Sequence, residues 1–167
     1  MPYCLDANVY IEAHRRYYAF DIAPGFWEGL SRLAERRAIC SPILVYEEIA
    51  DSGDELAHWA NVNKDALFVQ PDEAVQDAYR EIADLAVRLY EPQHVQEFLS
   101  GADPWVIAQA KAYNLVVVTM EARKHEQNQG RLGKIAGKIQ IPNVCEKVSV
   151  AYIDTFTLLR NERVVLR

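Results

Sequence analysis

The chain has 167 residues, 50% of them hydrophobic and 25% charged, and its formal net charge is −6. This composition predicts one folded domain over residues 1–167 and excludes a disordered chain. The negative charge argues against binding of nucleic acid through overall charge. Without a long apolar run or a signal-peptide pattern, we expect a soluble, cytoplasmic protein with no membrane partner.

Hydrophobic periodicity predicts strands that alternate with helices. In chain order, the predicted elements are strand 3–5, helices 9–14 and 26–37, strand 38–40, helices 42–50 and 55–63, strand 67–69, helices 73–90, 92–99 and 104–113, strand 115–118, a polar loop 122–142, strand 149–153, helix 155–159 and an edge strand 164–166. This order predicts an α/β fold in which helices cover both faces of a parallel sheet.

Polar residues mark several predicted helix starts. Ser41 precedes Pro42, which favours a cap followed by proline in the first turn. Asp72, Asp103 and Asp154 also stand directly before predicted helices, where an aspartate carboxylate can accept a hydrogen bond from a free backbone amide. We therefore expect these four side chains at helix caps.

The first strand ends in a carboxylate. Residues 3–5 are apolar and suit a buried strand, and Asp6 follows them directly. A lone charge at the end of a buried strand is costly unless a metal ion or a helix N-terminus compensates it. Asp6 and Asn8 can therefore be simple helix caps or parts of a site, and this stretch alone leaves both interpretations open.

Three further acids follow from other segments. Glu121 comes just after the strongly β-branched strand 115–118, Asp103 opens a later helix, and Glu48 lies on the helix after the second strand. In parallel sheets ligands bind beyond the carboxyl ends of the strands, so these acids and Asp6 can converge there. Hard oxygen ligands of this kind suit Mg²⁺ or Mn²⁺, and the cysteines and histidines are too scattered to form a competing site.

The second acid of this set is ambiguous, since Glu47 and Glu48 are adjacent. Successive helical residues point about 100° apart, so only one of the two can face the site. Val45 and Ile49 define the buried side, which places Glu48 near it and favours Glu47 as the solvent-facing residue.

The polar loop 122–142 is the one basic stretch of the sequence. It contains five cations and a single acid, Glu126. The cations are Arg123, Lys124, Arg131, Lys134 and Lys138. The stretch is either a solvated loop, which is the usual behaviour of such segments, or an arm that contacts phosphates.

Four motifs, in this order, resemble those of PIN-domain nucleases, in a branch close to toxin-type, VapC-like ribonucleases. They are LDANVYI at 5–11, VYEEI at 45–49, ADPWVIA at 102–108 and VVTME at 117–121. The resemblance covers nearly the whole chain. It implies a three-layer α/β/α PIN-like fold around a mostly parallel sheet of about five strands.

The resemblance also implies an activity and its residues. The catalytic and metal-binding residues would be Asp6, Glu48, Asp103 and Glu121, with Asn8 and Thr119 orienting them, and with Arg123, Lys124, Arg131 and Lys134 as RNA contacts. The family pattern places an aliphatic residue after its second acid, which selects Glu48. Its fourth acid is usually Asp, whereas this chain has Glu121. The implied activity is hydrolysis of phosphodiester bonds in single-stranded RNA with Mg²⁺ or Mn²⁺, and the implied partners are a small antitoxin and a second copy of the chain.

Other functions compete with this one. A phosphatase that forms an aspartyl-phosphate also begins with an Asp after its first strand, but it needs a second Asp where this chain has Asn8. A receiver-type signalling domain needs an acidic pair near the first strand, which Tyr3 and Cys4 do not supply. A catalytically silent PIN-like module that binds RNA or protein is the remaining alternative, and the four intact acids argue against it.

Overall fold

A parallel sheet forms the centre of the molecule. The computed structural model describes residues 2–128 and 130–167, apart from the side chain of Arg131. The strands are β1 Tyr3–Leu5, β2 Ile39–Pro42, β3 Phe68–Val69, β4 Val116–Val118 and β5 Tyr152–Ile153. They are ordered β3-β2-β1-β4-β5, and each neighbouring pair is parallel. The predicted α/β fold with a parallel sheet is therefore confirmed.

Helices connect and flank the strands. Those described are α1 Ala7–Glu12, α2 Pro24–Glu35, α3 Ile43–Ala50, α4 Glu55–Val62, α5 Lys64–Leu67, α6 Glu73–Leu89, α7 Pro92–Ser100, α8 Asp103–Tyr113, α9 Ile141–Lys147 and α10 Thr155–Asn161. A π-helical turn, Ala13–Tyr17, extends α1. Helix α8 packs on β1, β2 and β4, and α6 packs on α8. None of the helices in the described residues is both long enough and apolar enough to cross a membrane.

The central strand β1 is buried along its whole length. Its neighbours are β2 and β4, and Leu5 is in register with Val118 at the end of β4. The backbone amide of Asp6 extends this ladder by donating to the carbonyl of Val118 over 2.9 Å. The residues that follow β1 and β4 therefore meet at one edge of the sheet.

The predicted cap at Ser41 is wrong. Ser41 lies inside β2, which continues to Pro42 because it pairs with β3 there. Its buried hydroxyl donates to the carbonyl of Leu5 over 2.7 Å and lies 2.7 Å from the hydroxyl of Tyr10. The serine therefore links β2 to β1 instead of starting α3.

Two other differences involve the last part of the chain. The predicted edge strand 164–166 does not form within the described residues. Residues 164–167 lie on α2 instead. The contact is so close that a Cβ atom added to Gly25 would come within 2.5 Å of the Val165 carbonyl oxygen. Helix α9 begins inside the predicted polar loop, with its buried Ile141 at the first position and Pro142 in the first turn.

Candidate active site

Asp6 lies at the carboxyl end of β1 with only 1% of its surface exposed. It occupies the position before α1, yet its side chain makes no capping hydrogen bond. One carboxylate oxygen, Oδ2, accepts a hydrogen bond from the Thr119 hydroxyl over 3.1 Å. The other, Oδ1, is buried and has no hydrogen-bond partner among the residues that the structure describes. The cap interpretation of this side chain is therefore not supported.

Thr119 joins Asp6 to Glu121. It follows β4 directly, and its oxygen accepts a hydrogen bond from the backbone amide of Glu121 over 3.1 Å while its hydroxyl donates to Asp6. Glu121 in turn accepts at Oε1 from the Ile141 amide at the start of α9, over 3.3 Å. Its Oε2 is buried and has no hydrogen-bond partner in the described part of the chain. Two carboxylates from neighbouring strands thus each present one unsatisfied buried oxygen.

Glu48 reaches the same edge from α3. Its Oε1 accepts a hydrogen bond from the Ala102 amide over 2.8 Å, just before α8. The preceding residue, Gly101, leaves room for it, since a Cβ atom there would lie 3.3 Å from that oxygen. Glu47 and Glu48 are both exposed on this helix, so exposure does not distinguish them. Of the two adjacent glutamates, Glu48 is the one connected to the segment that carries Asp103.

Asp103 is the first residue of α8 and does not cap it. The cap position is Ala102, whose carbonyl accepts from the amides of Trp105 and Val106, and no side chain caps this helix. The predicted cap role of Asp103 is wrong because the helix begins one residue earlier than the sequence pattern indicates. The carboxylate of Asp103 is consequently free of a capping bond.

The charges of the other three acids act on Asp6. The pKa of Asp6 is raised well above its usual range, first by burial and then by the charges of Asp103 and Glu121, with a smaller contribution from Glu48 and an opposing hydrogen bond from Thr119. Burial, Glu121 and Glu48 raise the pKa of Asp103 to about 7, against the effect of a nearby lysine. Burial also raises the pKa of Glu121. Asp6 and Asp103 are thus costly to ionise while their acidic neighbours are charged, and Glu121 is costly to ionise because it is buried.

The four carboxylates fit a divalent cation in chemistry. Mg²⁺ and Mn²⁺ prefer hard oxygen ligands such as carboxylates. Either ion would neutralise the negative charge of the acids and coordinate the two oxygens that lack a hydrogen bond. Among the described residues, however, no three His, Cys, Asp or Glu side chains are already arranged to hold a metal ion. The carboxylates would have to move closer together to enclose one.

The predicted orienting residues differ in their placement. Thr119 makes the two hydrogen bonds given above. Asn8 is half-buried in α1, and in the part of the chain that the structure describes its amide makes no hydrogen bond with the four carboxylates. A role for Asn8 stays a prediction.

Two of the predicted RNA-contacting residues make other contacts. Arg123 pairs with Glu146 through Nε over 2.7 Å, and the Lys134 ammonium donates to the Val87 carbonyl over 2.7 Å. The side chain of Arg131 lies outside what the structure describes. Contacts of these residues with RNA stay predictions.

The backbone of Lys124 forms hydrogen bonds with the side chain of Asn143. The amide of Lys124 donates to the Asn143 side chain over 3.0 Å, and the Asn143 amide group donates back to the Lys124 carbonyl over 2.8 Å. This pair ties the loop after β4 to α9. It leaves the Lys124 ammonium free to reach across the loop.

Lys138 is the site residue that sequence reasoning did not single out. Its charge lowers the pKa of both Asp103 and Glu121. The available signal was its place one residue before the buried Ile139 and three before the buried Ile141. Spacing of that kind indicates a segment packed on the molecule and not a free loop.

The sequence matches a protein family, DUF4411, described as a domain of unknown function, over residues 3–166. The chain belongs to the DUF4411 family. No curated protein sequence matches it.

Solved structures show which fold this DUF4411 chain has. It is similar to VapBC2 from Rickettsia felis bound to a DNA fragment from their promoter, with a TM-score of 0.52, 13% identity and coverage of 92% of this chain and 98% of that chain. DNA-bound VapBC from Salmonella typhimurium gives a TM-score of 0.52, 16% identity and coverage of 92% and 98%. FitAcB from Neisseria gonorrhoeae gives a TM-score of 0.50, 16% identity and coverage of 90% of this chain and 96% of that chain. The fold is PIN-like and of the VapC type, as the four motifs predicted.

Proposed function

We propose that this protein is a metal-dependent ribonuclease that hydrolyses phosphodiester bonds in single-stranded RNA. The observation that carries the proposal is a pair of buried oxygens without a hydrogen-bond partner among the described residues, Asp6 Oδ1 and Glu121 Oε2. Thr119 connects the two residues, since its hydroxyl donates to Asp6 Oδ2 and its oxygen accepts from the Glu121 backbone amide. Burying ionised carboxylates without compensation is expensive. A site that keeps them in that state is suited to receive a cation and a phosphate.

Each residue has a distinct role in the proposed site. Asp6, Glu48, Asp103 and Glu121 would hold Mg²⁺ or Mn²⁺. When bound, such an ion lowers the pKa of a coordinated water and neutralises charge that develops on the phosphate. Thr119 holds the carboxylate of Asp6 and the backbone of Glu121, and the Ala102 amide orients Glu48.

We also propose a small protein partner. The comparison structures include VapBC and FitAcB, and the PIN-like fold supports a role as the toxin of a toxin–antitoxin pair. A basic side chain of such an antitoxin, placed among the four acids, would occupy the position of the metal ion. Self-association of the chain is a further prediction of the family resemblance.

Cleavage of a mixed single-stranded RNA tests the activity. The wild type is expected to cleave it with Mn²⁺ or Mg²⁺ and to stop when the metal is chelated. Asp6→Asn should lower cleavage by more than about 100-fold, because even residues that only support a metal site cost 10–100-fold. The matched control is Asp84→Asn, the same change at an exposed position of α6.

The outcomes separate the proposed enzyme from a silent module. Cleavage that survives in Asp6→Asn would place the activity in another site or in a contaminant. Wild-type protein that binds RNA but never cleaves it, with either metal, would support the alternative of a PIN-like binding module.

A further inference from the structure

A short segment in the last part of the polar loop, residues 135–141, passes the acids and is fixed at both ends. At its start, the amide of Ile135 donates to the Leu89 carbonyl over 2.8 Å. The carbonyl of Ile135 accepts a hydrogen bond from the Glu91 amide over 3.1 Å. At its end, Ile139 and Ile141 are buried, with 2% and 0% of their surface exposed. Because both ends are anchored, the residues between them have a defined position.

Gly137 makes a turn in the middle of this segment. Its φ of +91° lies in the left-handed region, where other residues are strained. A Cβ atom on Gly137 would also come within 2.9 Å of the Lys124 ammonium nitrogen. The turn therefore brings Lys124 beside the backbone that leads directly into Lys138.

Lys138 follows this turn, on the segment that contacts the acids. The segment touches the site itself, because the Ile141 amide, three residues further on, donates to Glu121 over 3.3 Å. The Lys138 charge acts on both Asp103 and Glu121, which belong to different elements. Its residue surface is exposed, so the ammonium group is accessible from solvent.

We infer that Lys138 binds a phosphate of the RNA at the acidic edge, on the side of Asp103 and Glu121. This inference rests on the proposed function. Four carboxylates repel an RNA phosphate, and a compact ammonium group on a flexible stem is suited to offset that repulsion. The positive charge of Lys138 also repels the metal cation that the acids would bind, so it lowers the affinity for that cation.

These two effects have opposite signs, and Lys138→Met separates them. Methionine keeps the apolar stem and removes the charge. Mn²⁺ affinity by calorimetry should rise by about two- to fivefold, because a repulsive charge is removed. RNA affinity should fall, and the slope of log affinity against log salt should shrink by about 0.7, the value for one single-strand phosphate contact.

The controls distinguish charge from local damage. RNA binding is measured in EDTA, so that cleavage does not interfere. Lys138→Arg should recover the salt slope. Lys111→Met makes the same change at the other end of α8, where Lys111 pairs with Glu81, and should alter neither readout.

The inference and the proposed function fail in different ways. A salt slope equal to that of the wild type, no RNA binding by the wild type, or weaker Mn²⁺ binding in Lys138→Met would each overturn the role of Lys138. A reduced slope and tighter Mn²⁺ binding in a protein that never cleaves RNA would sustain it and reject the nuclease.

Discussion

Aspartates that precede or open helices fall into two groups in this molecule. Asp54, Asp72 and Asp154 each accept a hydrogen bond from the amide three residues later, over 3.0, 3.0 and 2.7 Å. Asp6 and Asp103 stand at similar sequence positions, yet neither makes a capping bond. The same residue type at the start of a helix therefore has two different uses.

The pKa values show what separates the groups. Hydrogen bonds from the Thr157 side chain and amide lower the pKa of Asp154, so its charged form is favoured by folding. The pKa of Asp54 is also lowered, because hydrogen bonds from Ser52 and Ala57 outweigh its partial burial. Burial raises the pKa of Asp6 and Asp103, and neighbouring acids raise it further. Cap aspartates stabilise the fold as anions, whereas the site aspartates destabilise it until something compensates their charge.

The largest contrast is expected in catalysis. Asp103→Asn should lower RNA cleavage by more than about 100-fold, because it removes a proposed metal ligand. Asp154→Asn should leave cleavage near the wild-type level, since asparagine is also a good cap. Steady-state cleavage of a single-stranded RNA measures both. Equal losses in the two variants would erase the distinction between site and cap.

Thr119 offers a smaller effect on the same site. Thr119→Val deletes the hydroxyl that bonds Asp6 and accepts from Glu121, and should cost about 10–100-fold in activity or Mn²⁺ affinity. Thr119→Ser retains the hydroxyl and should stay close to the wild type. If valine is tolerated as well as serine, Thr119 only fills space.

The two groups should also respond oppositely to pH. Asp103 has its folded pKa raised to about 7, so without metal the folded state holds a proton that the unfolded chain has lost. Its contribution is fully present below the ordinary aspartate pKa and is lost as pH rises through about 7, roughly 4 kcal/mol in total. The lowered pKa values of Asp54 and Asp154 act the other way, and stability falls as pH drops through them.

Denaturation in EDTA between pH 4 and pH 8 measures this dependence. The wild type should lose stability towards pH 8, and Asp103→Asn should lose less. Added Mn²⁺ should restore stability at pH 8 in the wild type. A metal-free protein whose stability rises steadily to pH 8 would contradict the raised pKa values.

The smallest expected effect belongs to a single cap. Asp154→Ala removes the bond to the Thr157 amide and should lower the free energy of unfolding by about 1 kcal/mol. Mn²⁺ affinity should not change, because α10 carries none of the four acids. Calorimetry alongside denaturation measures both, and a change in Mn²⁺ affinity would show that the cap and the site are coupled.

Local rules and sheet topology account for what the sequence predicted well. Asp72 and Asp154 cap their helices as expected, because a cap depends on residues within three positions. Asp6 and Glu121 meet because parallel strands bring their carboxyl ends to one edge. The prediction of the caps needs only the local sequence, and the prediction that Asp6 and Glu121 meet needs only the order of the elements.

The failures involve contacts between distant segments. Ser41 continues a strand because β3 pairs with it. At the start of α8 the Ala102 amide is taken by Glu48, which lies 54 residues earlier. The role of Lys138 depends on the last part of the polar loop packing back near the acids; the spacing of Ile139 and Ile141 indicates a packed segment but not what it packs against.

Calorimetric titration with Mn²⁺ tests the central claim most directly, with the wild type compared with Asp6→Asn and Asp84→Asn at pH 8. We predict that the wild type and Asp84→Asn bind Mn²⁺ with equal affinity and that Asp6→Asn loses at least about tenfold. Binding that is absent from the wild type, or equal in all three proteins, would contradict a metal site at the carboxyl end of β1.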